Sequence, residues 1–367
     1  MRIGIPAESK TDEYRIAIVP TGVHAFTQLG HTVRIERGAG MGSGITDTAF
    51  REAGAMLCER DEVFAESDMI MKVKEPLAAE WPLLRPGQIL YAYLHLAAAP
   101  VLAHALLERQ VSAVAFETIQ LTNGALPLLT PMSEIAGRMS IHVGAKCLEK
   151  ESGGRGVLLA GVPGVEPGRV VIIGGGMVGL NAARLAVGIG ADVTLFDVNV
   201  ERLRHLEGMF FGRVKTLLPH AHLIHDMLVQ ADLVVGAALI PGARTPHVIS
   251  QALIKQMQTG AVLVDVSIDQ GGCAETSHPT THSQPTYVVD DVVHYCVSNM
   301  PGAVARTATF ALANVTLPYA LALANQGLHQ ALTDDAALAK GLNLHHGQVT
   351  HPAVAESLAL PYQPYTG

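Results

Sequence analysis

The chain is poor in aromatic residues (5%) and in charge (16%), has one tryptophan, and holds only four cysteines in 367 residues. Cys58, Cys147, Cys273 and Cys296 are scattered, with no C-x-x-C pair and no histidine at metal-ligand spacing beside them. A disulfide scaffold and a metal site are therefore not expected; a reduced, cytoplasmic chain is. The scarcity of rings removes a stacking platform for bases. With 25 basic against 33 acidic residues and no basic run, the net charge of −8 offers nothing to phosphate backbones or anionic lipid. Neither nucleic acid nor a membrane is an expected partner. No run of about 18 uninterrupted apolar residues occurs, and residues 1–8 meet proline and charge too early for a signal-peptide core. What the chain does have is small and apolar: 49% hydrophobic residues and 36 glycines. At about 150 residues per domain its length predicts two or three domains.

Short β-branched runs alternate with longer segments of helical period, the pattern of βαβ units and parallel sheets. Two series are visible. The first places strands at 2–5, 32–36, 69–73, 88–94 and 113–116, with helices at 20–29 and 100–109. The second places strands at 169–173, 192–196, 233–237, 262–266 and 294–297, each apolar enough to be buried on both faces. A helix over 133–150 links the series. An alanine-rich helix over 304–326, interrupted at Pro318, precedes a Gly/His-containing tail and returns the chain to the first domain. The expected division is 1–128 and 304–367 for a substrate domain, with 129–303 inserted as a nucleotide domain.

Between strand 169–173 and the next helix stands Gly174-Gly175-Gly176-Met177-Val178-Gly179. A bare G-x-G-x-x-G is weak evidence, but the strand-turn-helix setting is the one a dinucleotide requires. Gly174 permits the tight turn, Gly176 lets backbone approach a pyrophosphate, and Gly179 allows close helix packing at a helix N-terminus that favours anions. Strand 192–196 then ends at Asp197, whose carboxylate accepts ribose hydroxyls and repels the extra phosphate of NADP. NAD is the expected cofactor, and a merely flexible glycine loop the lesser alternative.

In parallel sheets, ligands bind beyond the carboxyl ends of strands. The polar residues there are Arg15, Lys74 and His95 in the first series, and Asp269 and Ser298-Asn299-Met300 in the second. Each has a plainer reading: Arg15 as a solvated partner of Asp12 and Glu13, Lys74 and Lys72 as surface ion-pairers on one face, His95 as a core histidine, Asp269 as a turn cap. Their shared location raises them together toward a cleft that receives a small anion and exchanges a hydride.

The segments Gly4-Ile5-Pro6-Ala7-Glu8, Lys72-Val73-Lys74-Glu75-Pro76, Leu94-His95-Leu96-Ala97, Pro131-Met132-Ser133-Glu134, Gly161-Val162-Pro163-Gly164-Val165, Ser267-Ile268-Asp269-Gln270-Gly271-Gly272-Cys273 and Ser298-Asn299-Met300-Pro301 follow one another as in the alanine dehydrogenases of bacteria. The chain resembles that family from residue 1 to about 345. The resemblance implies an α/β fold of two doubly wound parallel-sheet domains, a Rossmann NAD domain and a Rossmann-like substrate domain, with a cleft between them. It implies reversible oxidative deamination of L-alanine to pyruvate and ammonium, with His95 and Asp269 catalytic and Arg15 and Lys74 holding the substrate carboxylate and carbonyl. For NAD it implies Ser133, Gly174, Gly176, Met177, Val178, Gly179, Asp197, Arg202, Ala238, Leu239, Ile268, Asp269, Ser298, Asn299 and Met300. Tyr93 and Met132 are expected at a pocket wall, and the family implies a homo-oligomer, often a hexamer. Gly175, where many relatives have Ala, is expected to be harmless. A soluble NAD-binding subunit of a proton-translocating transhydrogenase, or a non-catalytic NAD-responsive binding protein, would keep the architecture without needing the four polar residues as a set.

Overall fold

The computed structural model describes residues 1–238 and 247–366. In chain order the strands are β1 (Arg2–Ile5), β2 (Thr32–Glu36), β3 (Met56–Cys58), β4 (Met69–Met71), β5 (Ile89–Ala92), β6 (Ser112–Ala115), β7 (Arg169–Ile173) and β8 (Asp192–Phe196), followed by β9 (Val214–Leu217), β10 (Leu233–Gly236), β11 (Val262–Asp265), β12 (Thr286–Val289), β13 (Val292–Tyr295), β14 (Leu342–His345) and β15 (Gln348–Val349). They form two sheets in two compact units, one of residues 1–132 and 302–367, the other of residues 133–301.

The first unit's sheet runs β15-β14-β6-β5-β4-β1-β2-β3, parallel from β3 to β6, with β14 and β15 added antiparallel at one edge. The helices Pro20–Gln28 and Pro100–Glu108 each start on proline, whose missing N–H costs nothing at a first helical position. Pro318 does not interrupt the next long helix: Ala305–Asp334 runs through it and departs from helical geometry only at Gly327, at φ 77° and ψ 166°. The stretch Met300–Asp334 is long and apolar enough to cross a membrane by length and composition. Here the helix packs on Pro20–Gln28 and Met41–Ser43, and the Thr316 carbonyl accepts from Tyr91 Oη at 3.1 Å.

The second unit's sheet runs β12-β13-β11-β10-β7-β8-β9, parallel except for the edge strand β12. Alternate residues of the same strands fill two cores. Val170, Ile172, Leu195, Val235 and Val264 face one way, Val171, Ile173, Val234 and Leu263 the other. Each such side chain stabilises the unit by roughly 1.5–3 kcal/mol of apolar burial, before the entropy of ordering it. In both sheets the first strand of the series, β1 or β7, stands beside the fourth, β4 or β10, so chain direction across the sheet reverses there. That switch point is where such sheets leave a crevice at their carboxyl ends.

Several strands stop short of the hydrophobic runs that predict them. β4 ends at Met71, β5 at Ala92 and β11 at Asp265. After one more backbone bond for each of the first two, from Lys72 to the Tyr91 carbonyl and from Tyr93 to the Val73 carbonyl, the amides of Val73, Leu94 and His95, like that of Ser267, are taken by carboxylates rather than by a neighbouring strand. The pairs β12–β13 and β14–β15 turn on Asp290-Asp291 and His346-Gly347, all at positive φ, and neither turn carries the Asn-Gly or Asp-Gly signature.

Candidate active site

In the second unit, β7 delivers the glycine turn. Gly174 sits at φ 105°, and a Cβ there would lie 2.4 Å from the Ala237 carbonyl oxygen, so the turn is pressed on the end of β10. A Cβ on Gly179 would lie 1.8 Å from the Gly174 carbonyl oxygen. Gly176 is the opposite case: nothing comes within 4 Å of the position its Cβ would take. It precedes the helix Met177–Ile189 without a side-chain cap, so the first-turn amides of Met177 and Val178 open onto that space. A phosphate fits there by charge and by shape.

Asp197 directly follows β8, and its carboxylate turns back to the glycine turn. Oδ2 accepts from the Gly175 amide at 2.7 Å and Oδ1 from the Asn199 amide at 2.8 Å. Arg202 donates through Nε to the Gly175 carbonyl at 2.6 Å. A Cβ on Gly175 would stand 3.0 Å from Asp197 Oδ2 and 2.8 Å from Leu206 Cδ1. The room an alanine would use is therefore taken up by the Leu206 side chain and the Asp197 carboxylate together. The glycine turn, Asp197 and Arg202 thus form one hydrogen-bonded group, with chemistry suited to a diphosphate and an adjoining diol.

After β11 comes the turn Val266–Gln270, in which Ile268 is buried and Asp269 is exposed. The buried carboxylate of Asp265 clips both ends of this loop, accepting from the Ser267 amide (3.1 Å), the Cys273 amide (2.7 Å) and Ser277 Oγ (2.6 Å). Ser267 Oγ donates to the Ala238 carbonyl at 2.6 Å, which ties the Ile268-Asp269 segment to the end of β10. Leu239 lies outside the described residues. Ser298 and half-buried Asn299 follow the neighbouring strand β13, Asn299 at φ 71° with its carbonyl accepting from His282 Nε2, and Met300 is buried. Ser133 is half-buried on the helix Thr130–Cys147.

In the first unit, Arg15 is 2% exposed rather than solvated. Its Nε and Nη2 form a bidentate pair with Glu13 at 2.7 and 2.6 Å, and Nη1 donates to Met132 Sδ at 3.1 Å. The two lysines of the next segment part company, although alternation puts them on one face. Lys72 is fully buried between Glu8 (3.3 Å) and Glu80 (3.1 Å). Lys74 is half-buried, and its ammonium makes no ion pair within 4 Å among the described residues. Burial, then the charges of Arg15 and Lys10, hold its pKa below the ordinary lysine value.

His95 is exposed at the end of β5, in the left-handed region at φ 49° and ψ 39°. Its imidazole lies parallel to the Tyr93 ring, centroids 6.0 Å apart and planes 6° apart. Tyr93 is buried, donates to the Leu128 carbonyl and meets Phe116 edge-on. Burial pushes its phenol well above the ordinary range. Arg15, Lys74, Met132, Tyr93 and His95 therefore form one neighbourhood: two cations and an imidazole, walled by a thioether and a ring.

Three carboxylates behind these groups were not foreseen, Glu8, Glu117 and Asp265; Glu13 was expected beside Arg15, but in solvent rather than buried. Glu8 accepts from the Val73 amide at 2.6 Å and the Lys74 amide at 3.3 Å. Glu117 accepts from the His95 amide at 2.6 Å. The one signal available was position, an acid just beyond an apolar strand, and solvent exposure is the usual fate of such a residue.

Two family models match the chain: "Alanine dehydrogenase/PNT, N-terminal domain" over residues 4–136 and "Alanine dehydrogenase/PNT, C-terminal domain" over residues 140–352. An alanine dehydrogenase of Methanococcus maripaludis is 56% identical over 366 residues, covering 99% of this chain and 98% of that one. A solved L-alanine dehydrogenase superposes with a TM-score of 0.96 at 52% identity, covering 98% of this chain and 99% of the other. A transhydrogenase structure from Sinorhizobium meliloti superposes at 0.82 with 23% identity, covering 96% of this chain and all of the other, a likeness of fold alone.

Proposed function

Because the chain belongs to the alanine dehydrogenase/PNT family, we propose that it is an NAD-dependent amino-acid dehydrogenase, converting L-alanine, NAD and water reversibly into pyruvate, ammonium, NADH and a proton. The observation that carries this reading is the near-complete match, across both units, to relatives named for that activity. Arg15, Lys74, His95 and Asp269 all lie in the segments that follow β1, β4, β5 and β11, which supports it. The transhydrogenase likeness extends to the fold only, and so favours no second reading.

NAD would be held at the Gly174–Gly179 turn by the Met177 and Val178 amides, and at its ribose by Asp197, with Arg202 fixing the turn; the nicotinamide, when bound, takes up the hydride from the alanine Cα. The other contacts proposed from the family pattern are Ser133, Ala238, Leu239, Ile268, Asp269, Ser298, Asn299 and Met300.

The protein's own share of the chemistry follows from the substrate. Alanine releases hydride only when its nitrogen is neutral, because the nitrogen lone pair forms the iminium. Arg15 and Lys74 neutralise the substrate carboxylate and align Cα. Asp269 takes a proton from the amine or from the water that adds to the iminium. His95 exchanges a proton with the oxygen that becomes the pyruvate carbonyl, which Lys74 orients. Collapse of the carbinolamine then frees ammonium. A homo-oligomer in the cytoplasm is part of the proposal. Loss of NADH absorbance at 340 nm with pyruvate and ammonium tests it; a purified chain that oxidises NADH with neither substrate, or not at all, would refute it.

A further inference from the structure

Glu117 stands out as a residue that no step above uses. It lies two residues beyond β6 in the turn Phe116–Thr118, as Leu94 lies two residues beyond β5, and Ala92 and Ala115 are register partners in these adjoining parallel strands. The two strands end together, so the amides of Leu94 and His95 have no further strand to pair with. Glu117 takes both: Oε1 accepts from the His95 amide at 2.6 Å, and Leu94 donates to Oε1 and Oε2 at 3.3 and 3.2 Å. His95 at this point holds a left-handed backbone conformation that non-glycine residues avoid unless their surroundings impose it. Its imidazole is exposed, and among the described residues its ring neighbour is Tyr93, itself anchored at Leu128. The direction of the His95 side chain is thus set from the backbone, and the backbone is set by Glu117.

We propose that Glu117 is a positioning residue for the reaction: by gripping the Leu94 and His95 amides it fixes His95 in the left-handed turn that aims the imidazole at substrate. The inference rests on the reading of His95 as a proton-exchanging group. Glu8 repeats the device one strand over, accepting from the Val73 and Lys74 amides, so Lys74 and His95, two of the three groups this unit turns to substrate, each follow a strand end held by a carboxylate.

The test uses two variants of similar volume in the full-length protein. Glu117→Gln keeps an oxygen at the Oε1 position and with it both amide bonds, whereas Glu117→Met keeps the length and accepts neither. In the pyruvate and ammonium assay, E117Q should retain kcat within about threefold. E117M should lose about 10²-fold in kcat, the scale of removing an acid–base group, while the KM for pyruvate and the affinity for NADH by fluorescence stay within about threefold. Equal losses in E117Q and E117M would show that the charge itself acts, and wild-type kcat in E117M would show that His95 needs no clamp; either overturns the proposal. A folded E117M whose loss appears in KM alone would likewise overturn it. Wild-type protein without pyruvate-dependent activity would instead sink the functional reading, so the two failures are distinguishable.

Discussion

Asp197 and Gly175 are joined through a 2.7 Å hydrogen bond from the glycine amide to the carboxylate, and Arg202 holds the same residue at its carbonyl, in the next peptide group. The residue read as the ribose acceptor thus also braces the phosphate-facing turn. Asp197→Ser should therefore weaken NADH binding by about tenfold or more, the scale of one charge-assisted hydrogen bond, and should relax the rejection of NADP. Fluorescence titration with both reduced cofactors measures it. An unchanged preference would remove Asp197 from the selectivity role.

Two of the signature glycines, Gly179 and Gly176, should fail in different ways. Gly179→Ala puts a methyl group 1.8 Å from a backbone oxygen, a clash no rotamer relieves, so the second unit should lose about 1–3 kcal/mol or more of stability. Gly176→Ala enters open space and should leave the melting temperature near wild type while abolishing tight NADH binding. Calorimetry paired with cofactor titration separates the two. A Gly176→Ala protein that binds NADH normally would mean the phosphates lie elsewhere.

The two sheets were legible because their strands are short apolar runs bounded by glycine or acid, as at 169–173 and 192–196. The edge strands β3 and β9 were not, because three or four residues are too few to show a period. The hairpins β12–β13 and β14–β15 were hidden by turns built on Asp290-Asp291 and His346-Gly347. At the site, the groups that would face a ligand could be read from strand-end position and family pattern. Most of their supports could not, since Glu8, Glu117 and Asp265 act through backbone amides that only the folded chain brings to them; Glu13 could be read beside Arg15, but not the burial of the pair.

Removing either proton-exchanging group should cost turnover without costing cofactor. His95→Ala and Asp269→Asn should each lower kcat by about 10²-fold or more with NADH affinity preserved. Asp269 is exposed on a loop clipped by Asp265, so the amide variant should fold normally. Wild-type turnover in either variant would refute its role.

Arg15 needs a gentler substitution than alanine. It is buried against Glu13, and removing one partner of such a pair commonly costs about 3–5 kcal/mol, which would confound binding with folding. Arg15→Lys keeps the charge and loses the bidentate fork, so the KM for pyruvate should rise about tenfold or more while that for NADH stays level. Equal rises in both would count against a carboxylate role.

Lys74 gives the reaction a pH signature of its own. Burial first, and the nearby charges of Arg15 and Lys10, hold its folded-state pKa below the ordinary value of about 10.4. Between those two values the unfolded chain binds more protons than the folded one, so this group's contribution to stability rises with pH across that window and is least favourable below it. Substrate binding runs the other way, because only the ammonium form attracts a carboxylate. The KM for pyruvate should climb on the alkaline side before an ordinary lysine titrates. Alanine oxidation meanwhile gains from alkaline pH, since its amine must be neutral, so its rate should pass through an alkaline optimum whose upper limb belongs to Lys74. Lys74→Arg keeps the charge at any accessible pH and should move that limb upward. Initial rates and KM values from pH 7 to 11 for both proteins decide it: a variant with the wild-type limb would place the ionisation on another group.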